Sequence, residues 1–237
     1  MTTVPVPDEV LTGLFRSPRG ASAEMAYRAG TNDFNTLNAC MTEDEYGLAS
    51  VTLPPGSVAV DVGAYAGGVA IGLALDNPDC HVIAVEPLTV NVDLINDNVR
   101  RNRLESRILV VRRAVAAPGL TTTTIRWAFT DDESGRHHRY VGNSSLHVTG
   151  GRSEVVDCVS LSDLVAAAGG HIALLKVDTE GAEYELFADA DALPSVGLIV
   201  GEHHAGFDRL AAMLDATHVV TLTNGDVNVG EFRAVPR

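Results

Sequence analysis

Ser57-Val-Ala-Val-Asp-Val-Gly-Ala-Tyr-Ala-Gly-Gly68 decides the fold. A β-branched run ends at Val62 in a glycine-rich turn, and Val69 to Asp76 then reads as a helix. Pro54-Pro-Gly56 breaks whatever precedes and delivers the chain into the strand. Downstream the alternation repeats, with His81–Glu86 as a second strand, Leu88–Asn102 as a second helix and Arg107–Arg113 as a third strand. After an interruption, Leu161–Ala168 reads as a helix, Ile172–Val177 as a buried strand and Ala182–Ala190 as a helix with Glu183 opposite Leu186 and Phe187. Val196–Glu202 supplies the fifth strand and Phe207–Asp215 another helix. His218–Thr223 and Val227–Val235 close as an antiparallel hairpin about Asn224-Gly-Asp226. Strands alternating with crossover helices predict a doubly wound α/β domain over residues 53–237.

Two stretches stand outside this pattern. Between Thr121 and Val159, the β-rich runs Thr122–Phe129 and Glu154–Val159 flank a polar segment too long for a tight turn, which predicts an inserted hairpin with a functional or mobile tip at 130–151. Residues 1–52 carry weak periodicity and scattered Gly, Pro and Asn, and are expected to form a lid of short helices over one end of the sheet.

The chain has 237 residues, enough for one large core, and 46% of them are apolar, which excludes disorder as its general state. With 17 basic and 31 acidic side chains its net charge is -14, which disfavours a nucleic-acid partner. Apolar runs such as Ile172–Val177 are strand-length, so no membrane span is expected. Met1 to Val10 carries acids and prolines where a signal peptide would carry a basic and then an apolar run, so the expected location is cytoplasmic. Cys40, Cys80 and Cys158 are too widely spaced for a structural zinc site and read as buried reduced thiols.

The chemistry gathers at strand ends. An α/β sheet binds nucleotide-like ligands where its first strand turns into its first helix, the place of Asp61, Gly63, Ala64, Tyr65 and Gly67. Glu86 ends the next strand, where an acid accepts hydrogen bonds from both hydroxyls of a ribose. A dinucleotide turn would need glycine at position 65, and this chain has Tyr65.

With its leading acid and glycines at 63 and 67, the turn instead resembles the first motif of class I methyltransferases that use S-adenosylmethionine, and Glu86-Pro87 resembles their second. Leu174-Leu-Lys-Val-Asp-Thr-Glu-Gly-Ala-Glu183 resembles the signature of the FkbM family of methyltransferases, and Gly201-Glu-His203 that family's acid-x-histidine region, here the contiguous Glu202-His-His204. Arg28-Ala-Gly-Thr-Asn-Asp33, Asn98 with Asn102, Asn143-Ser-Ser-Leu146 and Val159-Ser-Leu-Ser-Asp163 also resemble family segments. The resemblance implies a Rossmann-like seven-stranded sheet with its last strand antiparallel, and S-adenosylmethionine as the methyl donor. It places Gly63–Gly67 at the donor's amino-acid end, Glu86 at its ribose, Ala114 or Val115 at its adenine and Asp178 near its amino group. The acceptor it suggests is a hydroxyl of a small secondary metabolite or sugar.

Asp178 and Glu180 lie just past one strand end, and Glu202 and His203 past its neighbour, so all four are expected in one cleft. Methyl transfer to a hydroxyl needs alignment and a proton acceptor, and His203 with Glu202 and Glu180 are the catalytic candidates. The same four residues are candidate ligands for a divalent cation, Mg²⁺ if carboxylates dominate, a reading ranked below the metal-free one. An internal pair between Lys176 and one of these acids, with Glu183 or Glu185 on a solvated helix face, is the structural alternative. Arg136-His-His-Arg139 reads as solvated loop, Asn143 and Ser144 as contacts if that loop closes over substrate, and Trp127 as packing. Rival functions are N- or C-methylation of a small molecule, an NAD-dependent oxidoreductase, and a binding module with idle acids. The sequence leaves a homo-oligomer open.

Overall fold

In a computed structural model, residues 3–4, 9–131, 138–143, 152–204 and 206–237 are described. Thr3–Val4 (β1) precedes an antiparallel hairpin, Val10–Arg16 (β2) with Ser22–Arg28 (β3). The sequence predicts helices here, and the hairpin is hidden because β2 buries only Phe15 and so carries almost no alternation. Helices follow, but short ones: Asp33–Leu37 (α1) runs into a π-helical turn at Asn38–Thr42, and a 3₁₀ turn spans Leu48–Ser50. Phe15, Met25, Leu37 and Met41 join Ile71, Leu94 and Ile95 in one core cluster, so this segment packs on a face of the domain.

The alternation read from the sequence is present. Val58–Val62 (β4), Gly68–Asp76 (α2), His81–Val85 (β5), Thr89–Arg101 (α3) and Ile108–Val111 (β6) form the first half. Leu161–Ala167 (α4), Ile172–Val177 (β11), Glu183–Phe187 (α5), Val196–His203 (β12), Phe207–Leu214 (α6), His218–Leu222 (β13) and Gly230–Pro236 (β14) form the second. The seven-stranded sheet has the order β13-β14-β12-β11-β4-β5-β6, with parallel pairing from β12 to β6 and β14 antiparallel to both its neighbours. Strand order reverses at β4, so a crevice opens beyond the carboxyl ends of β4 and β11. Each central strand feeds two cores. Ala59, Val82, Ala84 and Leu174 face one, while Val60, Val62, Ile83, Val85 and Leu175 face the other, which is why these strands read as unbroken apolar runs.

The insertion lies in a second, five-stranded sheet, in which Ala114–Val115 (β7), Thr122–Asp131 (β8), His138–Asn143 (β9) and Arg152–Val159 (β10) are joined by β1, antiparallel to β8. The hairpin expected there is β8 with β10, registered Trp127 to Arg152. The polar segment adds a strand, β9, which places His138 and Arg139 on the sheet instead of in a loop, with Asn143 at its end. Arg136, His137 and Ser144 lie outside the described residues. Trp127 packs as expected, and its indole N–H donates to Glu154 at 3.0 Å. Glu154 also accepts from the Thr89 N–H and hydroxyl and from Arg112, fastening the insertion to the start of α3.

The three cysteines are free and buried. Among the described residues, no helix is long and apolar enough to cross a membrane.

Candidate active site

The turn after β4 is held from beneath. Asp61, fully buried, faces Lys176 across the β4–β11 pairing at 3.3 Å and accepts from the Ala70 N–H at 3.0 Å in the first turn of α2. Lys176 Nζ also donates to the Gly63 carbonyl at 3.0 Å. The internal pair of Lys176 is therefore with Asp61, not with Asp178, Glu180 or Glu202, and Asp61 supports the turn without lining a cavity. Gly67 takes φ 86° at the helix start and packs against Ile95, also off the cavity walls.

Gly63 has φ 74°, and a Cβ there would collide with the Asp178 carbonyl oxygen, so the two strand-end loops touch at a position with no room for a side chain. Gly63→Ala is expected to cost about 3 kcal/mol of stability or more by overpacking. Urea unfolding checks this, and a loss below about 1 kcal/mol would show that the loops part readily.

Two cavities meet at this junction. One, about 470 Å³, runs from Gly63, Tyr65, Glu86 and Leu88 past Ala114, Val115 and Leu120 to Asp178 and Glu180. The other, about 350 Å³, is bounded by Ala64, Glu45, Tyr46, Lys176 and Glu202 and shares Gly63, Tyr65, Asp178 and Glu180 with the first. Glu86 is 5% exposed, and its carboxylate accepts from the Tyr65 N–H (3.0 Å), the Leu88 N–H (3.0 Å) and Asn91 Nδ2 (3.1 Å). Burial pushes its pKa up to about 7 against these hydrogen bonds. Three of about four acceptor positions are thus taken within the protein, leaving room for one hydroxyl where the sequence reading assigns two.

The acid cluster forms as expected, around a different histidine. His203 is fully buried, with Nε2 3.1 Å from the Asp226 carbonyl and its ring against Phe207. His204 stands in the cleft instead, with Nε2 3.5 Å from Glu202, 3.7 Å from Glu180 and 4.0 Å from Asp178. Its Nδ1 lies 3.4 Å from Glu183. Burial alone would lower the pKa of His204, but Glu183, Glu202 and Asp178 override it and raise it to about 10. The acid-x-histidine pattern is met by Glu202, in β12, and His204, one residue past its end, which contact each other, and the burial of His203 contradicts its placement in the cleft.

The structural alternative, Glu183 or Glu185 on a solvated helix face, holds for Glu185 alone. Glu185 is exposed, while Glu183 is fully buried and ties the strand ends together. One oxygen accepts from the His204 N–H at 2.8 Å, and the other from the Thr179 hydroxyl and the Gly181 N–H at 3.0 and 2.9 Å. This clamp holds Glu180 at φ 55°, a strained left-handed conformation. Tyr46 is a second residue the sequence did not single out, and its hydroxyl donates to Asp178 at 3.0 Å. Among the described residues, Asp178, Glu202 and His204 bring ligand atoms within 4.8 Å of one another, so of the four expected cation ligands two take part, without Glu180 and with His204 in place of His203.

A sheet that reverses order at β4, a glycine turn after that strand and an acid at the end of the next define the class of Rossmann-like nucleotide-binding domains. The residues fit an S-adenosylmethionine: apolar Leu88, Ala114, Val115 and Leu120 suit an adenine, and the Glu86 carboxylate a ribose hydroxyl. The profile of the methyltransferase FkbM domain matches residues 61–221. A relative from Streptomyces tacrolimicus, 31-O-demethyl-FK506 methyltransferase FkbM, is 30% identical, the match covering 80% of each chain. A methyltransferase FkbM crystal structure from Methylobacillus flagellatus superimposes with TM-score 0.50 at 16% identity, over 85% of this chain and 53% of that one. A Clostridium thermocellum structure described as an rRNA-methylase gives TM-score 0.51 at 9% identity, over 82% and 94% of the two chains, and shows the shared fold. The chain belongs to the FkbM family of S-adenosylmethionine-dependent methyltransferases.

Proposed function

We propose that this enzyme methylates a hydroxyl of a small molecule, a secondary metabolite or sugar. The observation that carries the reading is the position of Glu180, which lines both cavities at their junction beside Asp178, so a proton acceptor stands where donor and acceptor would meet. The Streptomyces relative's name describes a 31-O-demethyl substrate, which supports oxygen as the acceptor atom. The acidic chain supports a small molecule over a nucleic acid.

When bound, S-adenosylmethionine supplies an electrophilic methyl group on a sulfonium. In this reading Gly63, Ala64 and Tyr65 hold its amino-acid end with Asp178 near the amino group, Glu86 holds the ribose, and Ala114 and Val115 wall the adenine. Glu180 is more than half exposed, and partial desolvation at the cleft with Asp178 and Glu202 beside it raises its carboxyl against the pull of His204, which makes it a better base than an ordinary carboxylate. It takes the hydroxyl proton. His204, held as an imidazolium, is a poor base but a fixed cation that attracts the acceptor oxygen as negative charge grows on it. Glu202 and Glu183 keep that cation in place.

The roles in this reading need no metal. The acids around His204 favour a proton on its ring, and a cation held by Asp178, Glu202 and His204 would take that proton's place. Turnover is therefore expected to be unchanged by EDTA at pH 7, and a rate lost to EDTA and restored by Mg²⁺ would replace His204 by a metal in the account. The acceptor atom is tested by incubating the enzyme with methyl-¹³C-labelled donor and a panel of hydroxylated and aminated small molecules. An O-methyl carbon in the product spectrum supports the proposal, and an N- or C-methyl carbon overturns it.

A further inference from the structure

Asp33 opens α1 with no solvent exposure, in a segment the mechanism above does not use. Its carboxylate accepts from Arg28 three times, from the backbone N–H at 2.9 Å, Nε at 2.7 Å and Nη2 at 2.9 Å. The Tyr65 hydroxyl donates to the same carboxylate, and the Arg28 guanidinium lies 5.6 Å from the centre of the Tyr65 ring. Arg28, at 4% exposure, ends β3, so a buried ion pair of the N-terminal segment reaches a side chain of the glycine-rich turn.

Tyr65 needs such support. It holds φ 51°, a left-handed conformation unfavourable for a bulky residue, and it lines both cavities. Its N–H is fixed on Glu86 at 3.0 Å and its hydroxyl on Asp33, so the ring is held at both ends. Asn98, fully buried, adds a parallel tie by donating to the carbonyls of Ala66 (3.0 Å) and Ala26 (3.1 Å) and accepting from the Ala26 N–H at 2.6 Å. Turn and β3 are thus joined at two adjacent residues, Tyr65 and Ala66.

We propose that Asp33, oriented by Arg28, is a positioning residue for the methyl donor and acts through the Tyr65 hydroxyl, so that the N-terminal segment sets donor affinity. The inference rests on reading the Gly63–Gly67 turn as the donor site. It is tested by titrating S-adenosylhomocysteine into the wild type, Tyr65→Phe, Asp33→Asn and the double variant. Each single substitution is expected to weaken binding about tenfold, the effect of one hydrogen bond to a charged group. The double variant is expected to bind no more weakly than the weaker single one, because both remove the same contact. Calorimetry separates this from a purely structural role, since a loss of folded protein would lower the number of binding sites and leave the affinity of each unchanged.

Wild-type affinity in Tyr65→Phe, or single effects that multiply in the double variant, would overturn the inference. If Asp33→Asn does not fold, Tyr65→Phe decides alone, since it leaves the Arg28–Asp33 pair intact. Failure of the wild type to bind would instead overturn the donor-site reading itself.

Discussion

Glu86→Ala is expected to raise the dissociation constant for S-adenosylmethionine at least 100-fold, on the order of 3 kcal/mol. The loss has two sources. The variant removes the carboxyl acceptor for a ribose hydroxyl, and it frees the Tyr65 and Leu88 N–H groups and the Asn91 amide that this carboxyl now organises, loosening the walls around the donor. Glu86→Gln keeps the size of the side chain and is expected to lose less. Calorimetry on the wild type and both variants checks this, with circular dichroism to confirm that each is folded. Affinity within threefold of wild type in the alanine variant would mean that the donor does not lie along β5.

Replacing the two adjacent histidines separately is expected to give opposite results. His204→Ala should lower kcat by about 100-fold or more at saturating donor and acceptor, because it removes a fixed cation beside the reacting oxygen. Its donor affinity should change less, since His204 stands against Glu180, Glu202 and Glu183, while Glu86 and Ala114 lie at the donor end of the first cavity. The clamp survives the change, as Glu183 still accepts from the backbone N–H of residue 204, the Thr179 hydroxyl and the Gly181 N–H. His203→Ala should leave kcat within a few-fold of wild type and lower the melting temperature, since it empties a buried site against Phe207. The wild-type rate should also fall as pH rises toward about 10, where His204 loses its proton, and this alkaline limb should vanish in His204→Ala. Normal turnover in His204→Ala with loss in His203→Ala would return catalysis to the other ring.

The parts legible in the sequence were those with a local signal. β4, β5 and β11 are buried on both faces, so their apolar runs announced a parallel sheet, and the turn between Val62 and Gly68 announced its ligand edge. β2 was missed because it lies on the surface with one inward residue, and β9 because it lies in a polar stretch. His204 is legible from alternation: continuing the pattern one residue past the end of β12 puts position 204 on the side of Glu202, whereas the basicity of His203 says nothing of its direction. Glu183 has no such signal. An acid on a short helix reads as solvated until its partners on two other loops are seen. The contact between Asp33 and Tyr65, 32 positions apart, likewise follows only from the packing of the hairpin on the domain.

The most direct measurement of the central claim is a pair of calorimetric titrations of the wild-type protein, one with S-adenosylhomocysteine and one with NAD. One site per chain with micromolar affinity is expected for the first and no heat of binding for the second, as Tyr65 stands where a pyrophosphate would need glycine. Binding of NAD without S-adenosylhomocysteine would contradict the donor site and every role assigned to the residues around it.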